Sequence, residues 1–107
     1  MTHPSDFLPL RELAQVVRSK NAGPTVLTLD VFMRDAPAYE RAAHSPALTP
    51  EAVATLYGVP AAQVQRHLLA QLRAIKFSLP RTVCAGTPGD GDLYGAQQHA
   101  PLLGLML

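Results

Sequence analysis

The sequence contains one cysteine, Cys84, and no tryptophan. A single thiol cannot form an internal disulfide or supply a cysteine-rich metal site, so the composition favours a reducing, cytoplasmic setting. We expect Cys84 to be a small buried apolar residue, because a cysteine with only distant histidines is too common a combination to indicate thiol catalysis.

A large charge excess and a long hydrophobic run are also lacking. Nine Lys and Arg against eight Asp and Glu give a formal net charge of +1, which does not indicate a nucleic-acid partner. The longest apolar run, at 102–107, is far shorter than the ~20 residues that span a bilayer, so we expect a strand or a docking tail there and no membrane. Residues 1–6 lack the basic and apolar segments of a signal peptide, so we do not expect secretion.

The length of 107 residues predicts one domain, 1–107, with residues 1–8 as a flexible N-terminal tail. A chain of this size can bury roughly 65% of its unfolded surface, which is enough for one core. No repeat or low-complexity tract is present.

Two segments alternate with the two-residue period of a strand. Residues 25–33 place Leu27, Leu29, Val31 and Met33 on one face, with Val26, Thr28, Asp30 and Phe32 on the other. Residues 74–79 place Ile75, Phe77 and Leu79 together before Pro80 ends the strand.

Helix signals lie between these two strands. Asp35 and Thr49 are predicted N-caps, each followed by proline in the first turn, and Ser45-Pro46 and Gly58 are predicted ends. Val53, Leu56 and Tyr57 are predicted to face inward. Residues 10–18 have helical spacing, and residues 61–72 fit a helix or a strand.

The run Arg18-Ser19-Lys20-Asn21-Ala22-Gly23-Pro24 is a basic corner that leads into the first of these strands. It could present cations and turn amides to a phosphate or carboxylate, or it could be a solvated turn. It lacks the Walker spacing, so it does not indicate a nucleotide site. Asp30 needs a cation inside the strand, and Arg18, Lys20, Lys76 and Arg81 are the candidates.

A second polar passage runs from Gly89 to Pro101. Asp90, Asp92 and His99 could ligate a metal or act as general acid and base, although the run breaks the calcium-loop pattern of an EF-hand. The alternative is that Asp92, Tyr94, Gln97 and His99 hydrogen-bond the backbone of an ordered loop. The sequence does not identify a metal or cofactor.

Residues 53–68 resemble a helix-turn-helix motif. Ala54, Gly58 and Val64 occupy its packing positions, which would leave Gln63, Gln65 and Arg66 to face a major groove. The near-neutral charge and the flanking strands count against this interpretation.

Nearly the whole chain after Leu10 resembles a bacterial family of small uncharacterised proteins with an AtuA-like ferredoxin fold. Two runs are specific: Arg18 to Pro24, and Tyr94-Gly95-Ala96-Gln97-Gln98-His99-Ala100-Pro101-Leu102. The matches between and beside them, in order, are Leu13-Ala14, Leu27-Thr28-Leu29-Asp30, Tyr39, Leu48-Thr49, Leu56-Tyr57, Ala74-Ile75-Lys76, Pro80-Arg81, Gly89-Asp90 and Asp92-Leu93.

The resemblance implies an α+β ferredoxin-like sandwich, with a mostly antiparallel sheet and helices packed on one face. It also implies strands at 10–18 and 64–69, where the local pattern favours helix. Members accompany, or resemble a terminal domain of, larger proteins of acyclic terpene utilisation. This implies an accessory or binding subunit in acyl-CoA or terpenoid breakdown, either as a homo-oligomer or with a larger AtuA-type partner.

We therefore expect one polar site or interface formed by residues 18–30 and 89–99. Its candidate members are Arg18, Lys20, Asn21, Asp30, Asp92, Tyr94, Gln97 and His99. A small lyase- or hydratase-type enzyme using the same residues is the alternative hypothesis, and a DNA-binding protein acting through residues 53–68 is another.

Overall fold

Four strands form one antiparallel sheet in the computed structural model, which describes residues 7–23, 25–81 and 100–107. The strands are β1 Ala14–Asn21, β2 Val26–Met33, β3 Gln65–Leu69 and β4 Ala74–Pro80. Their spatial order is β1-β2-β4-β3, so two hairpins of chain neighbours meet at the central β2–β4 pairing. The expected α+β fold with an antiparallel sheet is confirmed.

Three α-helices accompany the sheet in these described ranges: α1 Leu10–Leu13, α2 Ala36–His44 and α3 Pro50–Tyr57. The Asp35 carboxylate accepts from the Ala38 amide at 2.8 Å, and the Thr49 hydroxyl accepts from the Ala52 amide at 3.1 Å. Gly58 ends α3 in the left-handed conformation, with φ of 68°. Both predicted helix starts and this predicted end are confirmed. Each could be predicted from the sequence because it depends on the chemistry of neighbouring residues alone.

One face of the sheet and the inner sides of α2 and α3 form the core. The predicted inward residues of both alternating strands are buried: Leu27, Leu29, Val31, Met33, Ile75, Phe77 and Leu79. Tyr39, Ala42 and Val53 pack against them from the helices. The prediction for Leu56 is wrong, since its side chain is 37% exposed and Ala54 is buried on the inner face of α3 instead.

The segment 10–18 divides between the two predicted structures. Leu10–Leu13 form a single helical turn, and the chain is extended from Ala14 onward. Pairing with β2 favours the strand from Ala14 onward, because it satisfies the backbone N–H and C=O groups that a helix would otherwise pair within the segment. The local helical period is too weak to compete with this pairing. A register shift between Ala14 and Val16 marks the start of β1.

The helix-turn-helix interpretation of residues 53–68 is wrong. After α3 the chain makes a 3₁₀ turn, Ala61–Gln63, and enters β3, which confirms the strand that the resemblance implies there. Arg66 Nη1 donates to the carbonyl oxygens of Ala43 and Leu48, at 3.4 and 3.0 Å. This arginine therefore holds the end of α2 against the sheet and does not face outward.

The apolar run at 102–107 is a docking tail, as one of its two interpretations predicted. The Leu10 amide donates to Leu105 at 2.8 Å, the Leu107 amide donates to Leu8 at 2.9 Å, and Pro9 bridges Met106. Leu102 and Leu107 are buried in the core. None of the helices in the described ranges is long and apolar enough to cross a membrane.

Arg73, at the turn between β3 and β4, has a left-handed backbone with φ of 51°. Because a Cβ disfavours this conformation, Arg73→Gly is expected to raise the free energy of unfolding by about 0.5–1 kcal/mol in urea denaturation. Arg73→Ala is the matched control, since it removes the charge but keeps the Cβ. An equal gain from both variants would attribute the effect to the side chain and not to the backbone.

Candidate functional site

The side of the sheet opposite to the helices, which we term the polar face, carries three cross-strand rows of different chemistry. Residues paired across antiparallel strands share a face, so the register gives the members of each row. The charged row is Arg18, Asp30 and Lys76, and His67 continues it on β3. The polar row is Lys20, Thr28, Ser78 and Gln65, and the apolar row is Val16, Phe32, Ala74 and Leu69.

Arg18 is held in place by two neighbours on β2. Its Nε lies 3.7 Å from Asp30 Oδ2, and its Cζ lies 5.0 Å from the centroid of the Phe32 ring. The Arg18 side chain is 64% exposed, whereas that of Asp30 is 13% exposed. The guanidinium is thus oriented by an ion pair and a cation–π contact while its outer surface stays accessible.

Asp30 lies between two cations in the charged row. Arg18 is its partner on β1, and Lys76 is its register neighbour on β4. The sequence requires a cation for this carboxylate, and the observed ion pair identifies Arg18 among the four candidates. Thr28, two residues before Asp30 on β2, donates from Oγ1 to the carbonyl oxygen of Lys20 at 3.2 Å. This bond adds a side-chain link between β2 and the edge strand β1.

The predicted site residues fall into three groups. Arg18, Lys20 and Asp30 lie together on the polar face. Asn21 lies on the helix-facing side, because it pairs with the buried Leu27. Asp92, Tyr94, Gln97 and His99 lie outside the described residues, as do Asp90 and Cys84, so their convergence with the first group stays a prediction.

Phe32, Lys76 and His67 are members of the polar face that the site prediction missed. The alternation of β2 already places Phe32 beside Asp30, so its ring could have been included from the sequence. Lys76 and His67 belong to the β3–β4 hairpin, and only the pairing of β4 with the distant β2 brings them to the same row as Asp30.

Two open clefts adjoin the polar face. One, of about 280 Å³, is lined by Gln15, Val16, Arg18 and Phe32 at the β1 edge. The other, of about 370 Å³, lies at the end of the sheet; its polar lining is Thr25, Gln63, Gln65, Ser78 and Arg81. These side chains offer a guanidinium, amides and hydroxyls, which suit hydrogen bonding to another protein or to an anionic group.

Tyr57 and His44 are titratable residues on the helices, away from the polar face. Burial at the end of α3 raises the pKa of the Tyr57 phenol, so this group stays protonated at neutral pH. His44 Nδ1 lies 2.8 Å from the carbonyl oxygen of Glu40, one turn earlier on α2. Among the residues that the structure describes, no three metal-ligating side chains are grouped together.

A family model described as "Domain of unknown function (DUF4387)" matches residues 10–106, which include every described helix and strand. No curated protein and no solved structure matches the chain.

Proposed function

Because the chain belongs to the DUF4387 family, a domain family of unknown function, we propose its role from its own surface: it is an accessory binding subunit that recognises a partner protein through the polar face. The observation that carries this proposal is the orientation of Arg18 by Asp30 and Phe32 at the β1 edge of the sheet.

A guanidinium held in this way is suited to a protein interface. Arginine is enriched among the residues that dominate binding energy, and orientation by neighbours reduces the entropy lost on docking. The apolar row beside it supplies contact area, since Val16 is 43% exposed and Leu69 is 40% exposed. Charged and apolar rows side by side therefore provide both specificity and buried surface.

The resemblance to AtuA-like proteins supplies the context for the partner. It covers the basic run at residues 18–24, whose first residue is the oriented Arg18. We therefore place the chain in acyl-CoA or terpenoid breakdown, bound to a larger protein of acyclic terpene utilisation. This assignment follows from association with similar sequences, whereas the proposed interface follows from the surroundings of Arg18 on the polar face.

Arg18→Ala is expected to weaken binding to such a partner by about tenfold or more, which corresponds to ~1.4 kcal/mol. The measurement is titration calorimetry of the purified chain against a recombinant acyclic terpene utilisation protein. The free energy of unfolding of the variant should lie within about 1 kcal/mol of that of the parent, because exposed ion pairs contribute little to stability.

Arg11→Ala provides the matched control, since Arg11 is an exposed arginine on α1, away from the polar face. It should leave the affinity unchanged. A complex that both variants weaken equally would contradict the polar face as the interface. The absence of any complex with the parent chain would contradict the proposed partner.

A further inference from the structure

The two edges of the sheet differ in how they are protected against another strand. β1 begins at a register shift and carries exposed Arg18 and Lys20, and both features hinder edge-to-edge pairing. β3 pairs with β4 on one side only and has no register shift, proline or lysine. Its outer side is therefore open to a further strand in the part of the chain that the structure describes.

Three leucines are exposed at this edge. Leu68 is 46% exposed, Leu69 is 40% exposed and Leu72 is 61% exposed, and an open depression of about 300 Å³ is lined by residues 68–72. Leu68 and Leu69 lie on opposite faces of the sheet, because consecutive strand residues alternate. An added strand would thus find an apolar contact on each face for its alternate side chains.

The charges around the β3–β4 hairpin indicate what kind of strand fits. The sequence has no Asp or Glu between Glu51 and Asp90, so the hairpin 65–80 carries Arg66, Arg73 and Lys76 without a carboxylate of its own. Arg73 lies at its turn, whereas Arg66 donates to the end of α2 and Lys76 lies beside Asp30 of β2. Two copies paired through β3 about a two-fold axis would bring these cationic hairpins together, which is unfavourable. A strand that alternates apolar residues with carboxylates places its apolar side chains on one face, against Leu68 or Leu69, and its carboxylates on the other face of the cationic hairpin.

We infer that the β3 edge docks an extended segment of another protein, rich in apolar residues and carboxylates, as a fifth strand of the sheet. This edge shares the β3 residues of the polar face, Leu69 among them, but not Arg18, Asp30 or Phe32, so the inference does not depend on the function proposed above. A lipid surface suits the edge less well, because it offers no regular set of backbone groups to pair with the strand.

The test uses the full chain and three short fluorescent peptides of equal length. One alternates valine and glutamate, the second has lysine for glutamate, and the third is the acidic peptide with N-methylated amides. We expect anisotropy to show the acidic peptide bound at least about tenfold more tightly than either of the others. Amide shifts in NMR spectra should map to residues 65–72.

The paired variants are Leu69→Gln at this edge and Val16→Gln at the other, whose side chains are 40% and 43% exposed. Circular dichroism checks that both are folded. We expect Leu69→Gln to weaken binding of the acidic peptide by about fivefold or more, and Val16→Gln to leave it unchanged. Equal affinity for the acidic and lysine peptides, shifts mapping elsewhere, or no binding of the acidic peptide would overturn the inference.

Two further outcomes would assign the edge to another occupant. Sedimentation of the parent as a dimer that Leu69→Gln dissociates would show that the edge pairs two copies. Binding to anionic phosphatidylglycerol vesicles without binding to the acidic peptide would show a lipid contact. Either result overturns the inference that the edge docks an acidic strand, whereas a monomer that binds the peptide and not the vesicles supports it.

Discussion

Phe77→Ala is expected to remove about 3–5 kcal/mol from the free energy of unfolding. Phe77 is fully buried in β4, between Leu29 of β2 and Arg66 of β3. Among the residues that the structure describes it is the largest fully buried side chain, and its neighbours belong to paired strands, which limits how far they can move into the space it leaves. Because a domain of this size is stable by about 5–15 kcal/mol, the loss would be a large part of the total.

Urea denaturation followed by circular dichroism measures this effect. Leu72→Ala is the control, because Leu72 is 61% exposed and its truncation should change the free energy by about 0.5 kcal/mol or less. Phe77→Leu keeps most of the volume and should cost only about 1–2 kcal/mol, so it gives a measurable midpoint if the alanine variant is unfolded. Similar values for Phe77→Ala and Leu72→Ala would contradict the central place of Phe77 in the core.

The second large effect is expected at the docking tail. Leu102 is fully buried and belongs to the same core as the strands, so Leu102→Ala should cost about 2–5 kcal/mol. The cost arises from the cavity and from weaker attachment of the segment that pairs with residues 8–11.

Met106 provides the control for this prediction, because it lies in the same tail but is 49% exposed. Met106→Ala should change the free energy of unfolding by about 0.5 kcal/mol or less. Thermal unfolding and amide exchange of Leu10 and Leu107 report on the whole domain and on the tail separately. A stable Leu102→Ala variant with rapid exchange at these amides would show that the tail detaches without unfolding the sheet.

The central strands and the helix caps were predictable from the sequence because each depends on local information. β2 and β4 bury one face completely, so their apolar residues alternate, and Asp35 and Thr49 bring their own cap chemistry. The edge strands were not predictable in this way. Of the five residues of β3, four are exposed and one is half-buried, so no hydrophobic period marks it as a strand.

The same distinction applies to the candidate site. A carboxylate in a strand requires a cation, and this reasoning included Arg18 among the partners of Asp30. The turn-forming residues of 18–24 predict one corner, whereas β1 extends through Asn21 and therefore turns Asn21 to the opposite face from Lys20. Lys76 and His67 could join the row only through strand register, which depends on pairings between distant parts of the chain.

The order of the strands also separates contacts between chain neighbours from contacts between distant parts of the chain. β1 with β2 and β3 with β4 are hairpins that close over short loops, and such hairpins form in about 1–10 μs. The central β2–β4 seam joins these two hairpins, which are separated by residues 34–64, including α2 and α3. We therefore expect the seam to carry the largest loop-closure entropy of the sheet, because its contacts are the most distant in the sequence.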